Sequence, residues 1–215
     1  MSTSTTDGGA PPARRRNPRG EGERLKGEIS DAALALLDET GDAGAVTLRA
    51  VARRVGISAP SIYGHFENRQ QILLAALTRA FAEIDAELRR VVEAAGPESR
   101  DRLLALCEGY LDFARARPHR YLVMYGGVWN AAQDMADDAV PRDEVAALGI
   151  ATLELLQELL AACVADGSSQ STDPDADAIA LWVAMHGLAH QRIVSTAFTW
   201  PPGIDSRLVA RMAYI

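Results

Sequence analysis

Much that would mark an enzyme, a secreted protein or a membrane protein is missing from this sequence. Its 215 residues hold two cysteines, Cys107 and Cys163. Both fall inside helical patterns without metal-ligand spacing. That excludes a disulfide framework and predicts reduced core side chains in a cytoplasmic protein. No run of about 18 apolar residues occurs, so no membrane span is expected. The N-terminus lacks the apolar segment of a signal peptide. There is no Walker-type phosphate loop, no G-x-S-x-G elbow and no H-E-x-x-H pair, and the glycine pairs at 8–9 and 126–127 lack any phosphate-loop context. No stretch alternates with period two, so no sheet is expected.

Positive charge is also in short supply, with a net charge of −7. That argues against a nucleic-acid partner until the charge is divided along the chain. Residues 1–66 hold nine Lys/Arg and eight Asp/Glu, or +1, and the other 149 hold thirteen and twenty-one, or −8. Residues 14–26 hold six basic and two acidic side chains. An acidic remainder would repel DNA and favour one docking orientation for the basic end.

What is present is organised around residues 47–66, TLRAVARRVGISAPSIYGHF. Leu48, Val51, Ala52 and Val55 fall at helical spacing and share one face. Thr47 can cap that helix, and Gly56 sits where the chain must turn with positive φ. Ser58 is a second N-cap candidate, with Pro60 acceptable in the first turn that follows. Ile62 and Phe66, four apart, can face inward, leaving Ala59, Pro60, Ser61, Tyr63 and His65 largely outward. A short helix, small at its front and polar at its back, suits insertion into a DNA major groove.

Residues 22–70 resemble the DNA-binding domain of the TetR family of transcriptional regulators. The resemblance rests on ERLKGEISDAALALLDETG, VTLRAVARRVGIS and IYGHFENRQQIL. The I-Y-x-H-F-x-N-R run after a G-I-S turn is more specific than generic helix-turn-helix spacing.

Residues 1–20, rich in Ser, Thr, Gly, Pro and Arg, are expected to be a disordered basic arm, with Arg14, Arg15, Arg16 and Arg19 able to follow phosphates or enter a minor groove. Residues 21–67 are expected to form a three-helix domain. Its first helix, about 21–40, carries an inner stripe of Leu25, Ile29, Ala32, Ala33, Leu36 and Leu37, and the DAGAV loop leads to the next. Asn68 and Gln71 have capping-box spacing before a long helix that reaches from the DNA-binding unit into residues 68–215, a natural lever. Gly96 and Pro97 stop it. Further helices are predicted over about 98–117, over 118–125 and from Pro141 to about 165, with a loop over 128–140. Asp173-Pro174, with Asp175 and Asp177, is a strong start for a helix to about 196, and Asp205 opens the last. The fold class is therefore all-α, a helix-turn-helix domain followed by a helical domain.

The resemblance implies roles for particular residues. Arg49 would approach a base or a phosphate, and Arg reads guanine bidentately. Ala59 and Pro60 would touch bases, Ser58 and Ser61 lie at the same helix start, and Tyr63, His65, Thr47 and Arg69 would meet phosphates. In the larger domain Tyr110, Phe113, Tyr121, Met124, Tyr125, Trp129, Trp182, Met185 and His186 would line a cavity for a small-molecule effector. Trp182, His186 and Gly187 are similar to the family's Trp-His-Gly subtype. Gly187 in mid-helix predicts close packing against another helix. His186 and His190 share a face at four-residue spacing, but nothing completes a metal site, and neither metal nor cofactor is assigned. The partners implied are a double-stranded DNA operator, an effector and a second copy of the chain joined through the last two long helices, with no membrane. The function implied is a repressor released by its effector. The alternatives are a helical ligand-binding dimer without working DNA binding, and an enzyme using His186 or His190 as base, which no motif demands.

Overall fold

The computed structural model describes residues 21–127 and 129–215. The basic arm with Arg14, Arg15, Arg16 and Arg19 lies outside the described residues. Eleven α-helices and no strand occur among the described residues: α1 (Glu21–Thr40), α2 (Leu48–Val55), α3 (Ala59–Ile62), α4 (Arg69–Ala94), α5 (Ser99–Ala116), α6 (Pro118–Tyr125), α7 (Ala131–Ala136), α8 (Arg142–Ala146), α9 (Ile150–Asp166), α10 (Pro174–Val194) and α11 (Ile204–Met212). The all-α expectation holds, and α1, α4, α5, α6 and α10 fall where periodicity and caps put them.

Two hydrophobic cores form. The first joins α1, α2, α3 and the front of α4, with Ile29, Leu37, Val51, Ile62, Phe66, Ile72 and Leu77 buried. The second joins the rear of α4 to α5, α9, α10 and α11, through Ile84, Leu88, Leu106, Tyr110, Leu156, Leu160 and Leu181. Helix α4 therefore serves both, Ile72 to Ala80 in one and Ile84 to Val92 in the other. Its start is capped as expected, with the Gln71 amide donating to Asn68 Oδ1 at 2.8 Å. The reciprocal half differs: Gln71 Oε1 accepts from the Glu67 amide at 3.0 Å rather than from that of Asn68.

Four local expectations are corrected. The DAGAV loop contains a 3-10 turn over Ala43–Ala45, closed when Asp42 accepts from the Gly44 amide. The expected loop over 128–140 contains α7, because Asn130 caps it by accepting from the Gln133 amide at 3.2 Å; residue 128 is outside the described residues. The single helix expected from Pro141 is two, α8 and α9, separated at Gly149 with φ 78°. A Cβ there would lie 3.0 Å from the Phe81 ring. The close approach of α4 therefore requires a glycine in a conformation that ends one helix before the next. Finally, a Cβ on Gly187 would meet nothing within 4 Å, so no helix among the described residues packs against it.

The segment Arg142–Asp166 is long and apolar enough to pass for a membrane span by composition, at mean hydropathy 1.6, which periodicity alone did not anticipate. In the fold it is interrupted before Ile150, and Leu155, Leu156, Leu159, Leu160 and Cys163 pack into the second core.

Candidate nucleic-acid interface and helical body

Helix α2 starts where the Ala50 amide donates to Thr47 Oγ1 at 3.1 Å. It ends at Gly56, φ 80°, whose amide and that of Ile57 both donate to the Ala52 carbonyl. Ser58 occupies the position before α3 but does not cap it. Its hydroxyl instead pairs with that of Ser61 at 2.7 Å. Pro60 lies in the first turn. Helix α3 has only four residues, too few to persist on propensity. Ile62 and Phe66, 0% and 3% exposed, anchor it, at about 1.5–3 kcal/mol for each fully buried side chain.

That anchoring turns the other side chains out. Thr47, Arg49, Ser58, Pro60, Ser61 and Tyr63 are exposed, Tyr63 at 60%, while Ala59 and His65 are half-buried. The two neighbouring arginines of α2 differ. Arg54 is tied to Glu39 of α1 by hydrogen bonds of 2.8 and 2.6 Å, which hold the Glu39 carboxyl below its ordinary range. Arg53 is exposed. Arg69 departs from the sequence expectation. Its Nε donates to the Val46 carbonyl at 2.6 Å and its Nη2 to that of Ala43. The Val46 carbonyl follows the short turn with no continuing helix to receive it, and the Ala43 carbonyl, which opens the turn, also accepts from the Val46 amide, so the guanidinium faces inward as a latch instead of outward to phosphate.

A second set of polar contacts joins the two cores. Arg120 of α6 pairs with Asp38 of α1, through Nε to Oδ1 at 2.8 Å and Nη2 to Oδ2, and with Glu83 of α4. His119 Nδ1 donates to the Asp38 carbonyl at 3.0 Å. Arg117 donates to Glu87 at 2.8 Å.

In the body, Tyr110, Tyr121, Tyr125, Trp182 and His186 form one aromatic cluster. The His186 ring lies 4.3 Å from Trp182 and 4.5 Å from Tyr125 between centroids. His186 Nδ1 is 2.9 Å from the Trp182 carbonyl, which can only accept, so Nδ1 carries the proton. Nε2 then accepts from the Tyr110 hydroxyl at 2.9 Å, and the Tyr121 hydroxyl donates to the His186 carbonyl at 3.1 Å. Burial pushes the Tyr110 and Tyr125 hydroxyls up and the His186 imidazole down, so all three stay neutral near pH 7. With both ring nitrogens engaged, His186 offers no lone pair to a metal or a substrate proton. Met124 and Met185 pack at this core. Phe113 is buried beneath the Arg117 guanidinium, 5.1 Å from its ring centre. Trp129 is not brought to the cluster. It donates to Asp134 at 2.6 Å and packs on the first core.

Sequence reasoning missed a cavity of about 260 Å³ between α5, α6 and α10, with Arg115 and Arg192 in its lining. The two arginines lie on different helices, so no local spacing could have shown it. Helix α10 also exposes Ile179 and Val183, the segment between α10 and α11 exposes Phe198, and Tyr214 is exposed just after α11.

Comparison with known proteins bears on both halves. Residues 29–76 match the family described as bacterial regulatory proteins, tetR family, and residues 103–213 match the tetracyclin repressor-like C-terminal domain. The chain is 24% identical over 152 residues to the HTH-type transcriptional regulator Rv1816 of Mycobacterium tuberculosis, covering 70% of this chain and 62% of that one. It is 39% identical over 74 residues to the HTH-type transcriptional repressor KstR of Mycolicibacterium smegmatis, covering 34% and 35%. The chain thus spans less than two thirds of the length of these relatives. A solved structure of a protein of unknown function from Rhodococcus sp. RHA1 is similar over 92% of this chain and 95% of that one, with TM-score 0.69 and 25% identity.

Proposed function

The chain belongs to the TetR family of bacterial regulatory proteins, and from that membership we propose that it is a dimeric, cytoplasmic transcriptional repressor released from its operator by a small-molecule effector. The observation that carries the reading is the helix α3 face. Pro60, Ser61 and Tyr63 are exposed while Ile62 and Phe66 are buried, and Arg49 stands exposed on the preceding helix. Residues 21–67 are the DNA-binding domain. Thr47, Arg49, Ser58, Ala59, Pro60, Ser61, Tyr63 and His65 face the groove and its phosphates. Arg69 supports that face from behind. Residues 68–215 form the effector and dimer domain, with Trp182, His186 and Gly187 as its Trp-His-Gly signature and the aromatic cluster as the wall of its effector site. The repressor role is also the one that KstR's name gives that relative.

A single α3 offers too little contact for strong specificity. A two-fold dimer through α10 and α11 would engage half-sites one helical turn, about 34–36 Å, or a multiple apart. Exposed Ile179 and Val183 and the open space over Gly187 support that pairing. Effector would favour a spacing of the two α3 helices that no longer fits the operator. The test is fluorescence anisotropy with DNA flanking the protein's own gene, across a salt series, against random DNA. Specific binding that falls steeply with salt, and weakens by roughly 1–3 kcal/mol in Arg49→Ala, is expected. No binding to any DNA at low salt would favour a ligand-binding dimer without DNA function.

A further inference from the structure

We propose that the cavity between α5, α6 and α10 binds a small organic carboxylate with an apolar body, its carboxylate held by Arg115 and Arg192. This names a ligand class for the effector domain and rests on that reading. Leu111, Ala114, Pro118, Ala189 and Ile193 give the cavity apolar walls. Its volume of about 260 Å³ lies just under the usual range for small-molecule sites, roughly 300–1,000 Å³. Among the described residues, the only charged groups in its lining are the two guanidiniums.

The ion pairs around the mouth show what these guanidiniums accept. Arg192 donates to Asp205 Oδ2 at 2.8 Å, and its Nη2 lies 2.6 Å from Oδ1, which has no aligned donor. Arg115 Nη1 is 3.5 Å from the same carboxylate, too far for a hydrogen bond. Its other partner is Asp112 at 2.5 Å, with a side chain 70% exposed. An ion pair that open to water is weak and readily exchanged. With Asp112 counted, the two arginines and two aspartates sum to zero; when Arg115 exchanges the exposed Asp112 for a ligand, Arg115, Arg192 and Asp205 leave one positive charge, which one monoanion neutralises. A planar carboxylate suits a guanidinium fork, and an apolar body would displace only water from walls of this kind.

The site also adjoins the aromatic cluster. Ala189 lies one helical turn from His186, and Ala114 one turn from Tyr110. Asp205 is at the start of α11, so a ligand carboxylate that bridges Arg115 of α5 and Arg192 of α10 competes with the contact that holds α11 to them. Occupancy would therefore be felt at the helices proposed to pair the two copies.

The experiment is calorimetric titration of the full chain with butanoate, hexanoate, octanoate, decanoate and benzoate. Octan-1-ol and octylamine serve as neutral and cationic controls. Saturable binding of at least one carboxylate is expected. It should weaken about tenfold or more in Arg115→Gln, the size of a lost charged hydrogen bond, while leaving the Arg192–Asp205 pair intact. Ala189→Leu, which fills the cavity without touching charge, should weaken it too. Absence of binding by every carboxylate, equal binding of octan-1-ol, or binding unchanged in both variants would overturn the proposal. Anisotropy on operator DNA without carboxylate separates the two readings. Intact DNA binding with no carboxylate binding sinks only the ligand class, whereas carboxylate binding without DNA binding sinks the repressor.

Discussion

Arg120 offers the sharpest test of how the two cores are held together. Its side chain is 13% exposed, that of Asp38 34% and that of Glu83 48%. Exposed pairs contribute about 0.2–1 kcal/mol, and breaking a fully buried pair costs about 3–5 kcal/mol. The Asp38 pair lies between these limits, with two parallel donors to one half-buried carboxylate, so its coupling should be about 1.5–2 kcal/mol. The Glu83 pair is a single contact to a more exposed carboxylate and should couple by about 0.5 kcal/mol. Arg120→Met, which keeps the aliphatic stem, should destabilise by about 2 kcal/mol in total. Urea unfolding followed by tryptophan fluorescence, in double-mutant cycles with Asp38→Asn and Glu83→Gln, measures each term, provided m is unchanged. Coupling to Asp38 below about 0.5 kcal/mol, or a larger coupling to Glu83, would refute the burial argument that ranks the pairs.

Gly56→Ala should cost about 1–2 kcal/mol, because φ is 80° there and nothing crowds the added Cβ, so the cost is backbone alone; an unchanged unfolding midpoint would remove that account. Tyr110→Phe should cost about 1–3 kcal/mol, since His186 Nε2 loses its donor while remaining half-buried; chemical denaturation would check it. Burial lowers the folded pKa of His186 below its ordinary 6.5, so protonation favours the unfolded chain. The stability this contributes is present above about 6.5 and is lost as pH falls below it towards the folded value. His186→Gln should flatten that part of the profile, and an unchanged profile would contradict the neutral histidine. Val183→Glu, on the exposed face of α10, should yield a folded monomer by light scattering; a persistent dimer would move the interface elsewhere.

Features set by neighbours a few residues apart were legible in the sequence. Thr47, Asn68 and Asp173 each accept from an amide three residues on. Gly56 turns with positive φ, and Ile62 and Phe66 fall to the same side. These follow from chain geometry and backbone hydrogen bonding, which act over one helical turn. The candidate DNA face follows with them, because burying one side of α3 determines what its other side exposes.

Tertiary structure decided whatever depended on a partner distant in sequence. Arg69 reads as a surface cation, yet carbonyls 23 and 26 residues away take its guanidinium inward. Trp129 reads as part of the aromatic group, yet Asp134 and the first core hold it apart. Gly149 breaks a helix that periodicity would continue, because the Phe81 ring of α4 leaves no room for a side chain. The cavity beside Arg115 and Arg192 exists only because α5, α6 and α10 leave space where they meet. Helical periodicity determines which face of each element turns inward, but the register between elements depends on side-chain shape and charge across the interface, and that register placed these groups.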